Sequence, residues 1–108
     1  LTGKQSLAYH RRMADVFEAL AAPARRAILD ELQDRDGQTL FELCARLTMK
    51  HGLSLTRQAF SQHLEVLEAA GLVRTERQGR YKFHYLDTAP LAAIALRWPL
   101  PCPKGKSS

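Results

Sequence analysis

Apolar side chains recur at three- and four-residue steps through four successive stretches of this chain, switch to alternation, and then return to helical spacing. Met13, Val16, Phe17 and Leu20 predict a helix from about Tyr9 to Leu20, broken at Ala21, Ala22 and Pro23 because proline favours a first helical turn and pushes its predecessor out of helical geometry. Ile28, Leu29 and Leu32 predict a second helix from Ala24 to Asp34, stopped by Asp36 and Gly37. Thr39 and Glu42 have the spacing of a capping box, so a third helix should run from Leu40 to His51, with Leu40, Leu43 and Leu47 inward and Gly52 as terminator. After a turn at Leu53, Ser54 and Leu55, Thr56 should cap a fourth helix ending at Gly71, with Ala59, Phe60, Leu64, Leu67 and Ala70 as its inward stripe.

Alternation then predicts a strand over Leu72 to Glu76, a turn at Gln78 and Gly79, and a return strand over Tyr81 to Leu86. Tyr81, Phe83 and Tyr85 share one face of that strand, Lys82 and His84 the other, and His84 is expected at the surface. Thr88, Ala89 and Pro90 open a last helix whose Leu91, Ile94 and Leu96, with Trp98, are apolar on too many sides for a solvated helix; it should pack partly on its own domain and partly on another copy. The fold class is therefore mainly α with a small β-hairpin, in the order α-α-α-α-β-β-α of a winged helix-turn-helix. One ordered domain over residues 9–98 is expected between a flexible N-terminus, 1–8, and a Pro/Lys tail, 99–108.

The fourth helix carries the chemistry. Arg57, Gln58, Ser61 and Gln62 lie opposite its apolar stripe in its first two turns, and Arg and Gln can form bidentate pairs with guanine and adenine edges. Recognition helices present their N-terminal residues to the major groove. His63 lies one position from the stripe, where it either packs at the base of the helix or meets phosphate. Arg77, Arg80 and Lys82 cluster at the hairpin tip, as a wing needs in order to grip a DNA backbone. His10, Arg11 and Arg12 read as a solvated face of the first helix.

The 108 residues are enough for one core, and 45% hydrophobic with 25% charged residues is a globular composition. The net charge of +5 favours a polyanionic partner. Cys44 and Cys102 form neither a metal finger nor a disulfide framework, and fit a reducing cytoplasm. No apolar run has the length of a membrane span, no signal-peptide pattern is present, and no glycine-rich phosphate loop, nucleophile motif or paired carboxylates favour an enzyme.

The stretch from DVFEALAAPARRAILDEL through TRQAFSQHLEVLEAAGLVRTERQGRYKFHYLD resembles the arsenical-resistance repressor (ArsR-type) family of winged-helix regulators over roughly residues 10–98. The resemblance implies a bacterial homodimeric repressor on a palindromic operator of double-stranded DNA, paired through its first and last helices. It places Met13, Phe17, Leu91, Ile94, Leu96 and Trp98 in the dimer interface; Arg57, Gln58, Ser61, Gln62 and His63 in the groove; and Arg77, Gln78, Arg80 and Lys82 on the wing. The family's metal sites are not matched. Cys44 lacks the companion cysteine, Arg46 standing in its place, and residues 90–98 hold no His, Asp or Glu, so no metal or cofactor is expected and Cys44 reads as a small core residue. Two other readings stay open: a metal- or redox-responsive repressor with ligands shared between subunits (His10, Cys44 or Cys102), and a winged helix serving protein interaction.

Overall fold

The computed structural model describes residues 16–101; Met13, the cluster His10, Arg11 and Arg12, Cys102, and the expected loose ends at 1–8 and 102–108 lie outside the described residues. Within them the order is α1 (helical residues 16–21), α2 (Pro23–Asp34), α3 (Leu40–His51), α4 (Arg57–Ala69), β1 (Val73–Gln78), β2 (Tyr81–Leu86) and α5 (Ala89–Arg97). This is the winged helix-turn-helix order expected from the periodicities.

Each boundary has a local cause. Pro23 occupies the first position of α2, where its missing N–H is not needed. The capping box of α3 is formed: Thr39 N donates to Glu42 Oε1 at 2.9 Å, and Glu42 N to Thr39 Oγ1 at 3.2 Å. Gly52 ends that helix in the left-handed region at φ 67°. Ala59 N donates to Thr56 Oγ1 at 3.0 Å, capping α4.

One core joins these elements. Val16 and Ala19 of α1, Ile28, Leu29 and Leu32 of α2, Leu43 and Leu47 of α3, and Phe60, Leu64 and Leu67 of α4 are buried together with Ala70, Leu72 and Val73. Leu40, Cys44, Leu91 and Ile94 pack on its margin, half-buried. Cys44 is thus a core-edge rather than a fully buried residue.

The hairpin departs from expectation in two respects. β1 continues through Gln78, which pairs with Tyr81, so the connection is Gly79–Arg80, one residue beyond the expected turn, with Gly79 at φ 64°. A two-residue hairpin connection places glycine where positive φ is required. Second, His84 is buried, 5% exposed, and not a surface residue. The reason is a third strand one residue long. Gln38, between α2 and α3, pairs antiparallel with His84, Gln38 N reaching His84 O at 3.1 Å and His84 N reaching Gln38 O at 2.8 Å. Leu86 N adds a bond to Asp36 Oδ1 at 2.7 Å. Gly37 permits the approach, since it sits at φ 70° and a Cβ there would lie 2.9 Å from Tyr85 Cε1.

Candidate nucleic-acid interface

The rear of α4 packs into the core through Phe60, Leu64 and Leu67, so its opposite side faces outward. Arg57, Gln58 and Gln62 are exposed there and Ser61 is half-buried beside them. None of the four makes a side-chain hydrogen bond or ion pair with another described residue. Their donors and acceptors are at the N-terminal end of the helix, where the dipole favours an anion.

His63 points elsewhere. Its Nδ1 lies 3.2 Å from Nη1 of Arg25 on α2, and the ring is half-buried. Burial, together with the Arg25 charge, holds its pKa below the ordinary histidine value. In the free protein the ring thus packs against α2, midway along α4.

The wing tip is wholly exposed from Glu76 to Lys82. Arg77 is directly opposite Lys82 across the ladder, and like charges so placed repel unless an anion lies between or beside them. Arg80 follows in the turn. Arg74, further down the strand, differs: its Nη1 is 3.1 Å from Glu76 Oε2, and its guanidinium lies 4.9 Å from the Tyr85 ring centre. Between α4 and the wing runs an open groove of about 850 Å³, with Arg57, Ser61, Arg80 and Lys82 on its walls. Glu42, Glu65 and Glu68 line it too, so the groove as a whole is mixed in charge.

Two polar features had little or no signal in the reading of the chain. Glu31 is 1% exposed, and its carboxylate meets Lys50 Nζ at 3.0 Å, Arg46 Nε at 3.9 Å, His51 Nε2 at 3.9 Å and Gln38 Nε2 at 3.1 Å. It follows Ile28 by three residues and so sits on the buried stripe of α2, a position that spacing marks as inward whatever its chemistry. Arg25 is the other. Its contacts with residues 18, 19 and 63 are nonlocal or run to backbone carbonyls, so no pattern announces them.

Among the described residues no group of three or more His, Cys, Asp or Glu side chains converges as a metal site. Burial pushes the Cys44 thiol above its ordinary value, against the opposing charge of Arg57.

A different surface is apolar. Phe17 of α1 is 42% exposed, and on or just beyond α5 Leu96 is 81%, Trp98 59% and Leu100 91% exposed. The Phe17 and Trp98 rings lie 6.2 Å apart, so these two side chains are neighbours where α1 meets the end of α5. Of the expected interface residues, Phe17, Leu96 and Trp98 are exposed, and Leu91 and Ile94 are half-buried against the core.

With a capped, outward-facing polar helix and an adjoining basic hairpin in place, comparison with known proteins gives the same class. A family described as a helix-turn-helix domain matches residues 20–76. The regulator YuzN of Bacillus subtilis, described as an uncharacterized HTH-type transcriptional regulator, is 47% identical over 83 residues, covering 77% of this chain and 90% of that one. The HTH-type transcriptional repressor SmtB of Mycobacterium tuberculosis is 39% identical over 82 residues, 76% of this chain but only 56% of its own length. Among solved structures, an ArsR-like transcriptional regulator from Rhodococcus sp. RHA1 superposes with a TM-score of 0.69 at 33% identity, covering 84% of this chain and 77% of that one. HlyU from Vibrio cholerae superposes with a TM-score of 0.62 at 28% identity, covering 82% and 89%. The chain belongs to the ArsR-type family of winged helix-turn-helix transcriptional regulators.

Proposed function

We propose that this protein is a cytoplasmic, homodimeric transcriptional repressor that occupies a palindromic operator. Arg57, Gln58, Ser61 and Gln62 enter the major groove at each half-site, and Arg77, Gln78, Arg80 and Lys82 hold the adjoining backbone. His63 supports the helix from behind. The observation that carries this reading is the unsatisfied polar end of α4, whose rear is fixed in the core and whose neighbour is a wing with opposed, uncompensated cations. A helix presented in this way can read base edges, while the wing supplies the sequence-independent phosphate term. Dimerisation follows from the same geometry, because two half-sites about 34 Å apart need two symmetric recognition helices. We pair the protomers through the α1 and α5 side, where Phe17 and Trp98 lie together exposed and Leu96 is exposed on the same helix as Leu91 and Ile94.

The test is binding of the purified protein to its own promoter DNA at near-physiological salt, with competitor DNA, repeated after chelation and with zinc, cadmium or arsenite added. Tight, selective binding that no ion changes supports the reading. Release by one ion would require a site shared between subunits. Absence of selective binding would overturn it in favour of a protein-interaction module.

A further inference from the structure

Arg25 uses each nitrogen of its guanidinium on a different partner. Nε donates to Ala19 O at 3.0 Å and Nη2 to Glu18 O at 3.0 Å, both carbonyls in the last turn of α1. Nη1 stands 3.2 Å from Nδ1 of His63 in the middle of α4. Arg26 adds a bond to Leu20 O. Cations at a helix C-terminus are favourable by the dipole, but that accounts for two of the three Arg25 contacts only. The third ties the helix that carries Phe17 to the helix that carries the proposed reading residues.

The chemistry of that third contact is one-sided. A guanidinium has donors and no acceptor, so His63 Nδ1 must accept and the ring proton must sit on Nε2. The charged group that the structure sets against the ring is Arg25 itself. The other residue held by the same guanidinium, Glu18, is exposed and contributes its carbonyl. Along α4 the ring's neighbours at three and four residues, Ala59, Phe60, Val66 and Leu67, are uncharged. A proton added to Nδ1 therefore removes the acceptor and places a second positive charge about 3 Å from the first, with no described carboxylate to offset it.

We infer that Arg25 and His63 are positioning residues for operator recognition: the pair sets the orientation of α4 relative to α1, and protonation of His63 releases it. The inference rests on the operator-binding reading above. In a dimer paired through α1 and α5, the angle between α1 and α4 fixes the spacing of the two recognition helices, so a clamp between them acts on affinity without touching DNA. His84 offers an internal contrast. Its Nδ1 is 2.9 Å from the Gln38 carbonyl, which can only accept, so the two histidines are held in opposite tautomers.

The first experiment needs no DNA. Nitrogen-15 NMR of the imidazoles in the free protein should show His63 as the Nε2–H tautomer and His84 as the Nδ1–H tautomer. Arg25→Gln should raise the His63 midpoint and mix its tautomers. The second measures affinity for the promoter DNA with pH. Wild type should weaken about five- to tenfold between about pH 7.5 and 5.5, the lower end of the range expected of coupled sites. His63→Gln, a neutral acceptor at every pH, should keep the high-pH affinity and lose most of that dependence. Arg25→Gln should already be weak at the higher pH, with unchanged base preference and salt slope. An Nδ1–H tautomer at His63, or a folded Arg25→Gln protein with wild-type affinity, overturns the inference. So does a loss of about one unit of salt slope, which would make Arg25 a phosphate contact. If the tautomers are as stated but wild type binds no DNA selectively at any pH, the operator reading has failed and the positioning role falls with it.

Discussion

Lys50 Nζ lies 3.0 Å from Oε1 of the enclosed Glu31 carboxylate and 3.0 Å from Oδ2 of Asp34, one turn further along α2. The lysine, itself 44% exposed, therefore ties α3 to α2 across the Glu31 site. Burial alone would push the Glu31 carboxyl up, but the hydrogen bonds from Lys50 and Gln38, with the charges of Lys50 and Arg46, together outweigh it and hold the pKa below its ordinary value. The consequences of removing the two partners are unequal. Glu31→Gln leaves Lys50 and Arg46 partly in water, whereas Lys50→Met leaves a carboxylate inside the fold with poorer compensation. Thermal unfolding should show the larger fall in midpoint for Lys50→Met, and equal falls would mean that the carboxylate is better solvated than its position implies.

Stability should fall towards acid in two steps. Burial holds His84 and His63 below the ordinary value of 6.5, so the folded state binds fewer protons than the unfolded chain just below that pH. By linkage their contribution is fully present above 6.5 and is lost as pH falls through the lower folded values. Glu31 behaves likewise below its ordinary value of 4.5. Urea midpoints measured across pH should be flat above neutrality and decline below it. His84→Asn, whose amide can still donate to the Gln38 carbonyl, should reduce the first decline; an unchanged profile would assign it to other groups.

Base reading and backbone grip should separate by mutation. Gln62→Ala should cost about 1 to 3 kcal/mol against the preferred operator and relax the preference at one position per half-site. Arg80→Ala should weaken all sequences about equally and lower the salt slope by about one unit. Both side chains are exposed, so the fold should be unaffected, and circular dichroism checks that. Unchanged selectivity in Gln62→Ala would put a different residue of α4 against the bases.

The elements were legible because their signals are local: Thr39 with Glu42, Thr56, Gly52 and Pro23 each mark a boundary through a contact within a few residues. The outward set on α4 was equally legible, since the stripe through Phe60, Leu64 and Leu67 leaves Arg57, Gln58 and Gln62 no other side. What was not legible depends on residues distant in the chain. His84 alternates like a surface position and is buried only because Gln38, 46 residues earlier, pairs with it. His63 was ambiguous for the same reason, its partner Arg25 being 38 residues away. Glu31 lies on the inward spacing of α2 despite its charge, and the partners that make this tolerable, Lys50, Arg46 and the Gln38 amide, come from α3 and the loop before it.

The division of α5 into half-buried and exposed residues makes the proposed dimer separable from the monomer fold. Leu91 and Ile94 pack on the core, so their truncation should destabilise each protomer before it affects pairing. Trp98 is largely exposed, with Phe17 and the Arg97 guanidinium, 4.3 Å from its ring centre, as its described aromatic and cationic neighbours. Trp98→Ala should leave the thermal midpoint of the isolated protomer nearly unchanged while weakening association by about 2 kcal/mol, as for a central aromatic anchor. Sedimentation velocity over a concentration series reads this directly. Because an operator with two half-sites couples pairing to DNA binding, the same variant should bind a full palindrome less tightly but an isolated half-site as wild type does. A dimer undisturbed by Trp98→Ala would move the interface off the α1 and α5 face.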